Sequence, residues 1–262
     1  MRNLFFWKYD LPVGFEFDCV DYIVDESDVD VHWHNYDQIA LCTGGTGEFV
    51  FEKKTYSYAP GDIFIVNNME KHGAFAHAGT IASFTFLIFY PQFILHNADQ
   101  KFDYEYLLPF LYRPGEFCNK IDGDGDFGKK LKALLSDIIW ENRRRRPGYR
   151  HLISAKLRVI LAELLGYYDL DDTAHTVTDR YRKLRPAIEY MEQHFMEAIT
   201  LEEVAKVVFL SVSRFRHLFQ ETMHVGFKEY LIGLRYQAAK GLLANSDMTV
   251  SEIRSEEHTS EL

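Results

Sequence analysis

ITLEEVAKVVFLSVSRFRHLFQETM, Ile199 to Met223, carries the signatures of two consecutive helices. Thr200 stands before Leu201-Glu202-Glu203, a Thr N-cap with a Glu three residues on, a pairing that satisfies two orphan N–H groups at a helix start. Leu201, Val204, Ala205 and Val208 fall on one apolar stripe at helical spacing. The pattern breaks at Phe209-Leu210. Ser211 is placed to cap a second helix, VSRFRHLFQETM, and Gly226 closes the unit soon after. Two short helices joined by a tight turn make a helix-turn-helix.

On the second helix Val212, Phe215, Leu218 and Phe219 share the face expected to pack against the first helix. Ser213, Arg216, His217 and Gln220 lie on the opposite face. Arg can make two hydrogen bonds to guanine and Gln to adenine, while Arg214, near the helix start, is placed for a phosphate. Any exposed helix face has such residues, so composition alone leaves DNA contact and an ordinary solvated surface both open. Charge adds little. The chain has 262 residues and a formal net charge of −10, but from Arg180 to Ile253 ten Lys/Arg balance nine Asp/Glu. The acidity lies upstream, and a near-neutral domain can still gather its cations on one face.

Upstream, as far as about Leu111, short runs of β-branched and aromatic residues alternate with turn signals at Gly44-Gly45, Pro60-Gly61-Asp62, Asn67-Asn68 and Gly79. That density of short strands indicates an all-β sandwich or barrel. FVFEKKTYSY reads as a hairpin about Lys53-Lys54, and DIFIV after the Pro-Gly turn as a buried strand. The most apolar stretch, Ile81 to Leu95, is interrupted by Ser83, Thr85, Pro91 and Gln92, so it is expected to be a buried strand rather than a membrane span. MRNLFFWKYDLP is too short in apolar residues for a secretory signal, which makes the cytoplasm the expected compartment. Cys19, Cys42 and Cys118 form neither a CxxC nor a zinc spacing and are expected as reduced, buried thiols.

After IDGDGDFG the period changes. Leu131, Leu134, Leu135, Ile138 and Ile139 fall at helical spacing, as do Leu152, Leu157, Ile160, Leu161, Leu164 and Leu165, with Arg146-Pro147-Gly148 between the two helices. Such a pair can pack against a symmetry mate or back on the barrel, and the residues leave both open. The run Arg143 to Arg146 reads as a solvated last turn favoured by the helix dipole. LDDTAHTVTD, Leu170 to Asp179, reads as an interdomain linker. The expected fold class is α+β multidomain: a β-barrel over 1–112, a helical pair over 127–169 and an all-α helix-turn-helix domain over 180–253.

From Ile188 onward the chain resembles the DNA-binding domain of the AraC/XylS family of bacterial regulators. The resemblance rests on the Ile199-Thr200-Leu201 start, Ala205, the Leu210-Ser211 turn, Leu218-Phe219, the Gly226-Phe227 and Tyr230-Leu231 junction, and Leu234-Arg235 ahead of Ala239. It implies that Ser213, Arg216 and His217 occupy base-reading positions. It also implies that a helix from Phe227 to Leu243 joins two such motifs, which family members set in adjacent major-groove segments. Promoter DNA, RNA polymerase and a second copy of the chain are the partners it implies, with no membrane. The sequence then departs from the pattern. Thr249 to Ile253 opens the second motif, and RSEEHTSEL, Arg254 to Leu262, reads as a translated sequencing-library adapter. A non-native tail and an incomplete DNA-binding domain are therefore expected.

His32-Trp33-His34, Gln38 and Gly45 resemble the first motif of the cupin barrels, and Pro60-Gly61-Asp62 with His72 the second. Residues two apart on a strand face the same side, so His32 and His34 can both point inward with Gln38. Metal-binding cupins have three His and a Glu at the matching positions. Gln38 stands at the Glu position, and a neutral amide is a weaker ligand than a carboxylate, so neither metal nor cofactor is expected. The AraC resemblance implies a small effector, often a sugar, in a pocket built from His32, His34, Gln38, His72, Trp33 and Tyr36. Phe49, Phe51 and Phe64 are further candidates, and most of these aromatics are expected in the core. The expected function is a sequence-specific transcription regulator and not an enzyme. The rival is a metal-dependent cupin oxygenase or isomerase with a helical appendage, against which both Gln38 and the fused motif argue. A third reading is a sensor that acts only through protein partners.

Overall fold

The structure, a computed structural model, describes residues 4–7, 9–12, 14–25, 31–95, 101–111, 117–170, 175–223 and 225–235. In chain order the strands are β1 (Leu4–Phe6), β2 (Phe17–Val24), β3 (Val31–Trp33), β4 (Asp37–Gly44), β5 (Gly47–Phe51), β6 (Thr55–Tyr58), β7 (Ile63–Val66), β8 (His72–Ala76), β9 (Ala82–Phe89) and β10 (Lys120–Ile121). The helices are α1 (Lys101–Glu105), α2 (Leu108–Leu111), α3 (Asp126–Arg144), α4 (Tyr149–Tyr167), α5 (His175–His194), α6 (Leu201–Val207) and α7 (Val212–Met223). Residues 227–235 form a further helix, α8.

The described strands make two five-stranded sheets, ordered β1-β3-β8-β5-β6 and β10-β7-β4-β9-β2. β4 is the central strand of the second sheet with β7 beside it, and their sequences explain why. The first six residues of β4 and all of β7 are buried, as in strands covered on both faces. β5 alternates buried and outward residues, as a strand wet on one side does. The expected hairpin is the β5–β6 pair, with Val50 opposite Thr55. Val24, Cys42, Phe49, Phe51, Tyr58, Phe64, Val66 and Phe84 meet in one core cluster, so Phe49, Phe51 and Phe64 are packing residues. With antiparallel pairing at β3–β8, β8–β5 and β5–β6 in one sheet and throughout the other, the N-terminal domain is cupin-like and the chain as a whole is α+β.

The helical pair packs back on the β-domain. α3 and α4 pack on each other, and Asn142 Nδ2 donates to the Asp18 carboxylate at 2.9 Å. Arg143 pairs with Asp21 at 2.8 Å, and Arg158 donates to the Ile94 carbonyl at 2.6 Å. Arg146 lies 4.3 Å over the Trp140 ring. Arg143 and Arg146 are thus engaged within the domain. Asp62, in the Pro-Gly turn, accepts from the Ala59 N–H at 2.9 Å and the Gly123 N–H at 3.1 Å, and pairs with Lys120 at 2.8 Å.

Four sequence expectations need correction. Ile81 is exposed, β9 starts at Ala82, and a 3-10 turn at Pro91–Phe93 follows Phe89, because proline has no N–H for the ladder. Cys118 is exposed and Cys19 half-buried, so only Cys42 is a buried thiol. Leu152 points outward on α4, since the buried stripe is Ile153, Leu157, Ile160, Leu161 and Leu164. The stretch read as linker is already helical from His175, where α5 begins. The chain divides into two compact units, one of Met1–Phe5 and Tyr9–Thr178 and the other of Phe6–Lys8 and Asp179–Leu262. The second helix-turn-helix motif and the 254–262 tail lie outside the described residues.

Candidate functional site

The helix-turn-helix is built by local chemistry. Thr200 accepts from the Glu203 N–H at 3.2 Å, and Glu203 accepts from the Thr200 N–H at 2.7 Å, which closes a capping box. α6 ends in a Schellman arrangement: Leu210 N–H donates to the Ala205 carbonyl and Phe209 N–H to the Lys206 carbonyl, each at 3.0 Å. Phe209 holds φ +54° there, in the region glycine favours, and the residue is 96% exposed. Ser211 then caps α7 through the Arg214 N–H at 3.3 Å.

On α7 Phe215, Leu218, Phe219 and Met223 are buried, and Phe215 and Phe219 stand 5.5 Å apart. Ser213, Arg214, Arg216, His217 and Gln220 are all exposed. The structure thus gathers the five sequence-selected residues on the outward part of one helix. His217 Nδ1 lies 3.4 Å from Glu221, whose other oxygen is 3.6 Å from Arg180. That places one acid at the end of an otherwise cationic or neutral face.

The second cluster sits in the β-domain. His32 on β3 is the direct cross-strand partner of His72 on β8. Their ring centroids are 4.3 Å apart, and His34 lies 4.8 Å from His72. The nitrogens these imidazoles offer all lie within 4.8 Å of one another. His34 and His72 are fully buried, Gln38 nearly so, and His32 half-buried. Tyr36 stacks flat on His34 at 3.8 Å, and Trp33, out of phase with the two histidines, is half-buried on β3. His34 Nδ1 donates to the Tyr36 carbonyl at 2.8 Å, and His72 Nδ1 to the Glu70 carbonyl at 2.7 Å. Each bond fixes a tautomer whose Nε2 keeps its lone pair. Burial holds the His34 pKa well below the usual imidazole range, and the His72 and His32 charges push the same way. The hydrogen bonds from His34 to the Tyr36 carbonyl and to the Gln38 side chain act in the opposite direction. Three imidazoles with ring nitrogens at this spacing are a donor set that could hold a divalent transition metal.

The AraC-like ligand-binding domain family matches residues 15–159, more than half of the chain. The chain belongs to the AraC family of transcription regulators. YijO of Escherichia coli K12, named an uncharacterized HTH-type transcriptional regulator, is 37% identical over 98 residues, which is 37% of this chain and 35% of YijO. The HTH-type transcriptional activator RhaS of Salmonella arizonae is 23% identical over 222 residues, 85% of this chain and 76% of RhaS. Among solved structures, ToxT from Vibrio cholerae aligns over 83% of this chain and 98% of its own, at 12% identity and a TM-score of 0.34.

In this AraC-family chain the groups that orient the histidines escaped the sequence reading. The carbonyls of Tyr36 and Glu70 are backbone atoms, which no residue pattern marks. Glu70 is itself fixed, its carboxylate accepting from the Asn67 N–H at 3.0 Å and from Asn119 Nδ2 at 3.1 Å. Asn119 lies 49 residues further along the chain. Among the described residues no helix is long and apolar enough to cross a membrane.

Proposed function

We propose that this chain is a sequence-specific DNA-binding regulator whose N-terminal barrel binds a small-molecule effector. The observation that carries the reading is the outward face of α7. Ser213, Arg216, His217 and Gln220 are exposed together while the other face of the helix is buried, as a helix that enters a major groove requires. Arg214, at the helix start, is assigned to a phosphate. The barrel over 1–112 senses, the pair over 127–169 connects, and the domain over 180–253 reads DNA. His32, His34, Gln38, His72, Trp33 and Tyr36 form the effector site, and a carbohydrate is the first class to screen. Binding shifts the placement of two copies and so their match to paired half-sites.

The pairing surface we assign is α4. Leu152, Ala155, Val159 and Ala162 recur at alternating three- and four-residue spacing on its outer face, with Leu152 41% and Val159 48% exposed. This surface supports a homodimer that presents two reading domains to promoter DNA and to RNA polymerase.

The test is binding of a version of the chain carrying both helix-turn-helix motifs to the DNA upstream of its own gene, measured by fluorescence anisotropy at several salt concentrations. A linear fall of log affinity with log salt, and a preference over scrambled DNA, are expected. Absence of any salt-sensitive association with promoter fragments sinks the reading.

A further inference from the structure

We propose that Glu221 is a specificity-determining residue of the DNA-reading helix α7. It positions the His217 ring so that Nε2 accepts a hydrogen bond from a base amino group, and its charge lowers affinity for DNA of any sequence. The inference deepens the regulator reading and rests on it. Glu221 is a positioning residue: it acts through His217 and through its charge, not by touching a base.

Glu221 stands four residues after His217, one turn further along the same side of α7. One of its carboxylate oxygens lies 3.4 Å from His217 Nδ1, and the other lies 3.6 Å from a guanidinium nitrogen of Arg180 on α5. His217 and Glu221 are both exposed, so water screens these pairs and they add little to stability. The acid meanwhile carries two costs. It sits in the last turn of α7, where the helix dipole disfavours negative charge. It also puts a negative charge at the end of the face that is to meet a polyanion. Weak surface pairing does not offset both, which points to a role in what the face reads.

The carboxylate decides which ring nitrogen carries the proton. In a neutral imidazole one nitrogen is a donor and the other holds a lone pair. A lone pair on Nδ1 would face a carboxylate oxygen at 3.4 Å, which is repulsive, so the proton is placed on Nδ1. Nε2, at the far end of a side chain that is 67% exposed, is then an acceptor. In the major groove the amino groups of adenine and cytosine can donate to it, whereas guanine offers only acceptors there. A ring held this way selects adenine or cytosine against guanine. Without Glu221 the ring is free to carry its proton on Nε2 and donate to guanine, so the discrimination falls. The same carboxylate repels phosphate oxygens, which weakens the sequence-independent part of binding.

The experiment uses a version of the chain carrying both helix-turn-helix motifs, at about pH 8, above the ordinary imidazole range. Its probes are the tightest-binding duplex from upstream of its own gene, the single base-pair substitutions of that duplex, and a scrambled duplex, read by fluorescence anisotropy. Glu221→Ala should raise affinity for the scrambled duplex about threefold or more. It should also reduce discrimination against guanine at one position by about tenfold, with an unchanged circular dichroism spectrum. Glu221→Gln separates the two roles, since its amide oxygen can still accept from Nδ1 but carries no charge. That variant should gain affinity for the scrambled duplex and keep the base preference. In a His217→Ala background, Glu221→Ala should no longer alter the preference. A Glu221→Ala variant that matches the parent on every duplex overturns the proposal, as does a change in preference that persists without His217. Either result beside specific binding by the parent leaves the regulator reading standing, whereas no salt-sensitive binding by the parent sinks both.

Discussion

Tyr230 donates its hydroxyl proton to the carboxylate of Glu192 at 2.9 Å, joining α8 to α5 behind the helix-turn-helix. Burial pushes the Glu192 pKa up to about 7, the Tyr230 bond opposes the rise, and the Glu189 charge adds to it. A carboxyl group whose pKa is higher folded than unfolded stabilises the fold fully below the unfolded value, and that stability is lost as pH rises through the folded value. The C-terminal helical domain should therefore weaken between pH 5 and pH 8. Glu192→Gln should flatten that slope and raise stability at pH 8 by about 1–3 kcal/mol. Urea denaturation followed at both pH values checks this, and an unchanged slope in the variant refutes it.

Phe209 pays conformational strain without packing in return. A side chain in the left-handed region costs about 1 kcal/mol relative to glycine, and this ring has almost no cover. Phe209→Gly should stabilise the domain by that amount. A loss of stability on thermal denaturation would mean the ring contributes contacts that its exposure does not suggest.

Arg216 and Arg214 are predicted to fail differently. If Arg216 reads a base, Arg216→Ala should cost about 1–3 kcal/mol against the preferred site and relax sequence preference at one position. If Arg214 meets a phosphate, Arg214→Ala should weaken all sequences alike and lower the salt slope by about 1. Anisotropy with matched and mismatched duplexes separates the two, and identical behaviour of the variants contradicts the assignment of roles.

Gly47 has no room for a side chain. A Cβ there would press on the Phe75 carbonyl oxygen and stand 2.5 Å from the Tyr58 hydroxyl, which itself donates to that carbonyl. Gly47→Ala should destabilise the β-domain by about 1–3 kcal/mol, read as a lower urea midpoint. A neutral effect would show that β5 and β8 can part there without cost.

The helix-turn-helix was legible because its signals are local. Thr200 and Glu203, and Ser211 with the Arg214 N–H, act within one turn of chain, and the apolar spacing of Phe215, Leu218 and Phe219 marks the inner face directly. The left-handed turn at Phe209 was not legible, since phenylalanine there goes against its own preference and the break in periodicity locates the turn but not its form. In the β-domain the His32, His34 and His72 motif was readable, yet Gln38 drew attention away from the arrangement. What orients the rings is carbonyl oxygen, which every residue has. The outward set of Leu152 belongs to the same class of miss, because spacing alone does not say which of two overlapping stripes on α4 meets α3.

The Asp62 carboxylate closes its own turn and also holds the loop that leads into α3. A Cβ on Gly123 would collide with the Gly61 carbonyl, so the two loops are fitted to each other at backbone distance. The helical pair is accordingly no detachable module. Grafting it onto a different β-domain would fail unless the acceptor also supplied residues 59–62.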